Sequence, residues 1–302
     1  MNLRFKPIPL LFLLAMVTIT IPTFAQLTDL ARVEYTYFPQ KDSDNSFRRA
    51  RAFINIPIQL DDDAYLVTGL EYRNVHLKLQ DSLPFSISDN ERFQNMVLTI
   101  GFTDKLESGW RYALQGEARL ASNFSTGDII RDDLIFGGSF YFIKDRTGEN
   151  LENPPDKPWR LILGLNYSTT AGRPFPLPFV NYYREFAPKW TYTAGVPKSN
   201  IKYEFVKNMK LQGFITLDGF FSNIQENEPV DNTQTIAENV SMTTLLSGLG
   251  YEWEFIDHFV FYVYAGHTLI NDIRLRDSNG DDVFTINDTN TFYSRGGLKV
   301  KI

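Results

Sequence analysis

Residues Thr291 to Ile302 place Phe292, Ser294, Gly296, Leu298, Val300 and Ile302 on one side of an extended chain, and Tyr293, Arg295, Gly297, Lys299 and Lys301 on the other. That period of two is the mark of a β-strand. A strand with three cations on one face and only apolar or small residues on the other needs two different solvents. Lipid outside and water inside a barrel supply them.

The same alternation recurs along the chain. Ala31, Val33, Tyr35 and Tyr37 oppose Arg32, Glu34 and Thr36, and Ala50, Ala52, Ile54, Ile56, Ile58 and Leu60 oppose Arg49, Arg51, Asn55 and Gln59. Residues 64–79 carry Glu71 and Arg73 on one face, and Met96, Leu98, Ile100 and Phe102 oppose Asn95 and Thr99. Trp110, Tyr112, Leu114, Gly116, Ala118 and Leu120 stand against Arg111, Gln115, Glu117 and Arg119. Leu134, Phe136, Phe140 and Phe142 form another apolar face, and Trp159, Leu161, Leu163, Leu165 and Tyr167 oppose Arg160 and Asn166. Leu211, Ile215, Leu217 and Phe221 then oppose Gln212, Thr216 and Asp218, while Leu245, Leu249, Tyr251 and Trp253 oppose Glu252 and Glu254. The charged faces together predict a lumen. Its residues either set the selectivity of a pore or pair with one another across the interior.

Between 171 and 205 the pattern thins. Pro174, Pro176 and Pro178 are expected to break a ladder, and Trp190–Val196 and Ile201–Phe205 fall short of the roughly 9–11 residues of a tilted spanning strand. These two segments belong either in the wall or in a hairpin folded into the lumen. The expectation is therefore an all-β, transmembrane, antiparallel up-and-down barrel of twelve strands, with fourteen as the alternative. Either number is even and leaves both chain ends on the periplasmic side. Long loops at 81–90, 122–133, 223–234 and 277–290 alternate with tight turns at 61–63, 104–109, 187–189 and 256–258, as extracellular loops and periplasmic turns do. The connection 144–158 is the exception. Trp110, Trp159, Trp190 and Trp253 all fall near expected periplasmic turns, which predicts an interfacial aromatic girdle.

Composition narrows the function. The 302 residues carry a net charge of −6 and no cysteine. A Cys-based zinc site and a thiol nucleophile are excluded, and the acidity argues against a nucleic-acid partner. No cofactor is implied. His76, His258 and His267 lack metal-type spacing. His76 or His267 beside a hydroxyl would suit a membrane-embedded lipid hydrolase of the phospholipase type, but Thr268 points away from its neighbour His267 in a strand, and no G-x-S-x-G elbow is present. Asp277-Ser278-Asn279-Gly280-Asp281-Asp282 has its glycine fourth rather than sixth, so a turn at Asn279-Gly280 is expected in place of a calcium loop.

Arg4 and Lys6, the apolar run from Ile8 to Ile21, and the small residues before Gln26 predict a Sec-type signal peptide over 1–25, leaving a barrel domain at 26–302. Such a chain is addressed to the Gram-negative outer membrane, with membrane lipids and the barrel-assembly machinery as partners. The terminal strand resembles the one that this machinery recognises, although that strand usually ends in Phe and this chain ends in Ile302.

The ending Phe24-Ala25-Gln26, the turn-Trp starts Asp156-Lys157-Pro158-Trp159 and Pro188-Lys189-Trp190, and the Gly195-Val196-Pro197 break carry a further resemblance. Over residues 27–302 the chain resembles uncharacterised Bacteroidetes-type outer-membrane β-barrels, a domain of unknown function. The resemblance implies a barrel and assigns no functional residues. The functions expected are a passive channel, a small-solute transporter or a surface scaffold. A lipid hydrolase and a secreted β-sandwich binding module are the alternatives.

Overall fold

In the computed structural model, which describes residues 29–81, 83–84, 90–147, 157–230 and 235–301, the alternating segments become fifteen β-strands. They are β1 (Ala31–Pro39), β2 (Ser46–Gln59), β3 (Tyr65–Lys78), β4 (Arg92–Lys105), β5 (Arg111–Ser122), β6 (Leu134–Asp145), β7 (Trp159–Ser168) and β8 (Phe175–Ala187). There follow β9 (Trp190–Val196), β10 (Lys198–Val206), β11 (Met209–Pro229), β12 (Ile236–Ile256), β13 (Phe259–Arg276), β14 (Asp282–Asn287) and β15 (Phe292–Val300). Antiparallel pairing runs from strand to strand, and β1 closes on β15 in a register from Ala31↔Val300 to Tyr37↔Ser294. Fourteen strands form the wall, and β14 is an extra rim strand beside β13. The expected signal peptide over 1–25, Ile302 and most of the 144–158 connection lie outside the described residues.

The twelve-strand expectation is thus corrected to fourteen. β9 pairs with β8 from Val180↔Val196 to Ala187↔Trp190, and β10 pairs with β11 from Lys198↔Thr216 to Val206↔Met209. The prolines do not break β8. Pro176 and Pro178 pair with Tyr167 and Leu165 of β7, in a stretch that the β9 ladder, starting at Val180, does not reach. A strand paired along one edge tolerates proline, whose missing N–H can face the open edge.

Three of the hairpins expected on the periplasmic side share one construction. Lys189, Asn208 and His258 take positive φ (68°, 67° and 72°), and a register shift sits beside each turn. One left-handed residue plus a bulge lets a short turn follow the twist of the strands.

The outer face is apolar. Leu249 is 74% exposed, Phe292 71% and Val33 64%, and the same face carries Ile54, Leu98, Phe136 and Leu165. A continuous exposed apolar surface of this kind needs lipid against it.

The wall is uneven in height. β11 and β12 contain 21 residues each, about 70 Å of chain at about 3.3 Å per residue, far more than an apolar band of about 25 Å requires. The expected loop at 223–234 is accordingly strand as far as Pro229, and that at 277–290 contains β14. Above Thr216, β11 parts from β10 and crosses to β5, where Asn223 pairs with Ser122. Asn95 Nδ2 donates to the Phe221 carbonyl at 3.5 Å beside this crossing. The half expected to face the cell exterior, called the extracellular half, is therefore narrower than the half expected to face the periplasm, with β6–β10 contributing mainly below the crossing. The turn Thr169–Ala171 lies against Gly219 of β11, where a Cβ would collide with the Thr169 and Thr170 carbonyls.

Candidate functional site: a charged lumen beneath an apolar core

The inward face changes character along the barrel axis. At the extracellular end Phe38 of β1, Phe47 of β2 and Phe220 of β11 are completely buried. The Phe47 and Phe93 rings pack edge-on to Phe220 at 6.3 and 5.8 Å, and Phe38 stacks on Tyr293 of β15 at 5.5 Å. Leu77, Ile224, Val240, Met242 and Leu275 complete the cluster. Interiors of this kind pack to crystal-like density.

Below this core lies a network rich in arginine. Arg49 grips Asp218 through two hydrogen bonds of 3.0 and 2.7 Å, and Arg295 donates to the same carboxylate. Arg295 Nε also donates to Thr36 Oγ1 at 3.1 Å. Beside it Arg51 donates to Glu71 at 2.7 Å and approaches Glu34 at 3.5 Å, while Arg73 donates to Glu71. Arg32 bridges Asp29 and Glu34, and Arg119 meets Glu117 at 3.2 Å. Planar guanidinium forks suit such paired, fixed geometry.

Two tyrosines of β13 tie this network to the next. Tyr262, Gly297 and Glu34 share one row across β13, β15 and β1. Because residue 297 has no side chain, Tyr262 passes over it and donates to Glu34 at 2.7 Å. In the same way Tyr264 lies over Gly250 and donates to Glu252 at 2.6 Å. Glu252 also accepts from Gln212 at 3.0 Å, from Lys202 at 3.2 Å and from Lys299 at 3.2 Å.

The structure brings Arg32, Glu34, Arg49, Arg51, Glu71, Arg73, Asp218 and Arg295 into one interior network, and places Glu252 and Lys299 in the second. Glu117 and Arg119 pair beside the first network, Lys301 lies in the field of Glu252 in the second, and three candidates lie apart. Arg111 donates to the Asp63 carbonyl at 2.5 Å near the periplasmic rim, Arg160 stands 3.8 Å from Asp145, and Glu254 accepts from the His258 backbone at 3.1 Å. Lys301 donates its backbone N–H to the His258 carbonyl. Trp110 and Trp159 are half-buried, while Trp190 and Trp253 are exposed; Trp110 precedes β5 by one residue, Trp159 and Trp190 open β7 and β9, and Trp253 lies three residues before the end of β12. Sequence reasoning missed Lys198, Lys202, Tyr262 and Tyr264. Their signal was the parity of β10 and β13, which becomes readable once 198–206 is placed in the wall.

Closure of β1 on β15 sets Glu34 opposite Gly297 and within the electrostatic reach of Arg295, but the hydrogen-bonded carboxylates of Arg295 and Lys299 lie elsewhere. Those two cations find Asp218 and Glu252 instead. The histidines gather no catalytic group among the described residues. His267 packs against Phe292 with ring centroids 5.0 Å apart, whereas the Thr268 hydroxyl donates to Asn290 at 3.1 Å. His76 Nε2 lies 3.7 Å from Glu91. The Asp277 loop is a turn: its carboxylate accepts from the Asn279 and Asp281 backbones, both at 2.9 Å, and Gly280 takes a φ of 82°.

A closed antiparallel barrel with a lipid-suited exterior and a charged interior defines a β-barrel of the outer-membrane type. The chain belongs to the family described as Domain of unknown function (DUF6268), whose model matches residues 23–301. A comparison with curated proteins finds no match. Among solved structures the chain is similar to KdgM porin, at 10% identity and a TM-score of 0.34, covering 90% of this chain and 99% of that one. It is similar to LpxR from Salmonella typhimurium at 9% identity and a TM-score of 0.33, covering 90% and 100%. It is also similar to the TodX deltaS2S3 mutant monoaromatic hydrocarbon channel at 10% identity and a TM-score of 0.36, covering 91% of each chain. Likeness at this level carries no residue role from those proteins to this one.

Proposed function

We propose that the protein, exported by its signal segment to the outer membrane, is a closed, membrane-embedded scaffold rather than an open passive channel. The observation that carries this reading is the apolar core of Phe38, Phe47, Phe93 and Phe220 across the extracellular half of the interior. Aromatic side chains packed ring to ring leave ions no hydrated route, and dewetted apolar constrictions block conduction. The charge network below supports the same reading, since Asp218 is held by both Arg49 and Arg295 and is thereby occupied. Lipids of the outer membrane cover the apolar band, and the barrel-assembly machinery is the partner during insertion. Among the described residues neither His76 nor His267 is hydrogen-bonded to a hydroxyl group, as a hydrolase reading would need.

The test is conductance of the purified, heat-modifiable protein in a planar bilayer. The scaffold reading expects no step above background. Discrete, reproducible steps from a folded sample would replace it with the channel.

A further inference from the structure

We infer that the periplasmic half of the lumen is a binding site for a small oxyanion, a phosphate or carboxylate group carried on a periplasmic solute, held by Lys198, Lys202 and Lys299. The two charge networks differ in balance. In the arginine network each of Asp29, Glu34, Glu71 and Asp218 meets one or more guanidinium groups. In the second network one carboxylate, Glu252, serves both Lys202 and Lys299.

Lys198 adds a third lysine in the field of that same carboxylate. Its Nζ lies 5.3 Å from the centroid of Phe214 and 5.2 Å from that of Tyr264, and no carboxylate lies within 4.0 Å among the described residues. Phe214 and Tyr264 belong to the apolar core, so this ammonium sits directly beneath the closed extracellular half. Ring faces attract a cation without neutralising it, and a half-buried ammonium without a counter-charge in contact is costly. Lys301 lies on the same inward face of the terminal strand, toward the periplasmic end, and brings a fourth lysine.

The residue types fit the role. Lysines are flexible point charges with three donors each, suited to a ligand that comes and goes, while the arginine forks above are committed to fixed partners. Lys202 keeps about a quarter of its side chain exposed, at 24%, and Lys198 is half-buried, so both remain reachable by solute from below. An anion bridging Lys198 and Lys202 would relieve the excess charge without displacing Glu252.

The experiment titrates the purified full chain in non-ionic detergent at low salt, by calorimetry, with inorganic pyrophosphate in one arm and citrate in the other. Saturable binding is expected in at least one arm, and the arm that binds names the group. Lys198→Met and Lys202→Met are each expected to weaken it about tenfold or more, as loss of one member of a buried charge contact does, while Lys207→Met in a periplasmic turn leaves it unchanged. A second measurement uses the unaltered protein: the binding probe should slow acylation of Lys198 and Lys202, read by mass spectrometry, but not that of Lys207. Absence of saturation in both arms at millimolar probe, equal affinity in all three variants, or uniform acylation overturns the proposal. Conductance is read separately, so a conducting barrel that binds anions and a closed barrel that does not are distinguishable failures.

Discussion

The two halves of this barrel solve the same problem, an interior that must be filled, by opposite chemistry. The extracellular half pulls β11 across to β5 and fills the narrowed space with Phe38, Phe47, Phe93 and Phe220. The periplasmic half keeps the full ring of strands and fills its interior with paired charges. An apolar core gains stability from area removed from water. A charge network gains little net stability, because desolvation offsets attraction, yet it fails badly when one member is lost. The difference teaches where the interior is held by packing and where by charge: above the crossing aromatic and aliphatic side chains fill the centre, and below it paired arginines, lysines and carboxylates do.

The largest expected effect falls where the two halves meet. Asp218 lies two residues before Phe220 on β11 and holds Arg49 and Arg295 together. Asp218→Ala leaves two guanidinium groups without their shared carboxylate, and a loss of about 4 to 5 kcal/mol is expected, the upper part of the range for a broken buried pair. Urea unfolding in lipid vesicles measures it. A loss under about 1 kcal/mol would mean that water compensates both arginines and that the middle of the barrel is wet.

Phe220→Ala tests the upper half alone. It removes a ring that touches Phe47 and Phe93, and about 3 to 4 kcal/mol of destabilisation is expected from lost contacts and the remaining cavity. The variant should still carry no current, because Phe38, Phe47 and Phe93 stay in place. Conduction after this one truncation would show a constriction one residue thick, and the contrast between the halves would shrink to a gate.

The contrast also explains what could be read from the residues in order. Alternation identifies a face by the solvent it meets, so β1, β2, β5 and β7, with lipid on one side and charge on the other, were legible. Phe47 has the same parity as Arg49, Phe93 the same as Asn95 and Phe220 the same as Asp218. Where the inward face turns apolar, both faces read alike and the core is invisible to periodicity. Lys198 and Lys202 were hidden for another reason. Alternation marked only 201–205 of their nine-residue strand, too short for a wall judged by the length of a spanning strand. The closure of β1 on the terminal strand was readable from the even strand number. Which acid each cation meets was not, since Arg295 bonds to Asp218 of β11 across the lumen as well as to Thr36 of the neighbouring β1, and no spacing encodes that reach.

The smallest effect sharpens the boundary most. Tyr262 hydroxyl donates to Glu34, which also faces Arg32 and Arg51. Tyr262→Phe keeps the ring over Gly297 and removes one of several donors to that carboxylate. A loss of about 1 to 2 kcal/mol is expected, the cost of one hydrogen bond to a charged acceptor in a surviving network. If Glu34 is instead oriented by Tyr262, the variant will lose as much as Asp218→Ala does, and its loss will combine non-additively with that of Arg51→Met in a double-mutant cycle. Near-additivity would place the orienting role on the arginines, and make Gly297 a site of close packing more than of charge control.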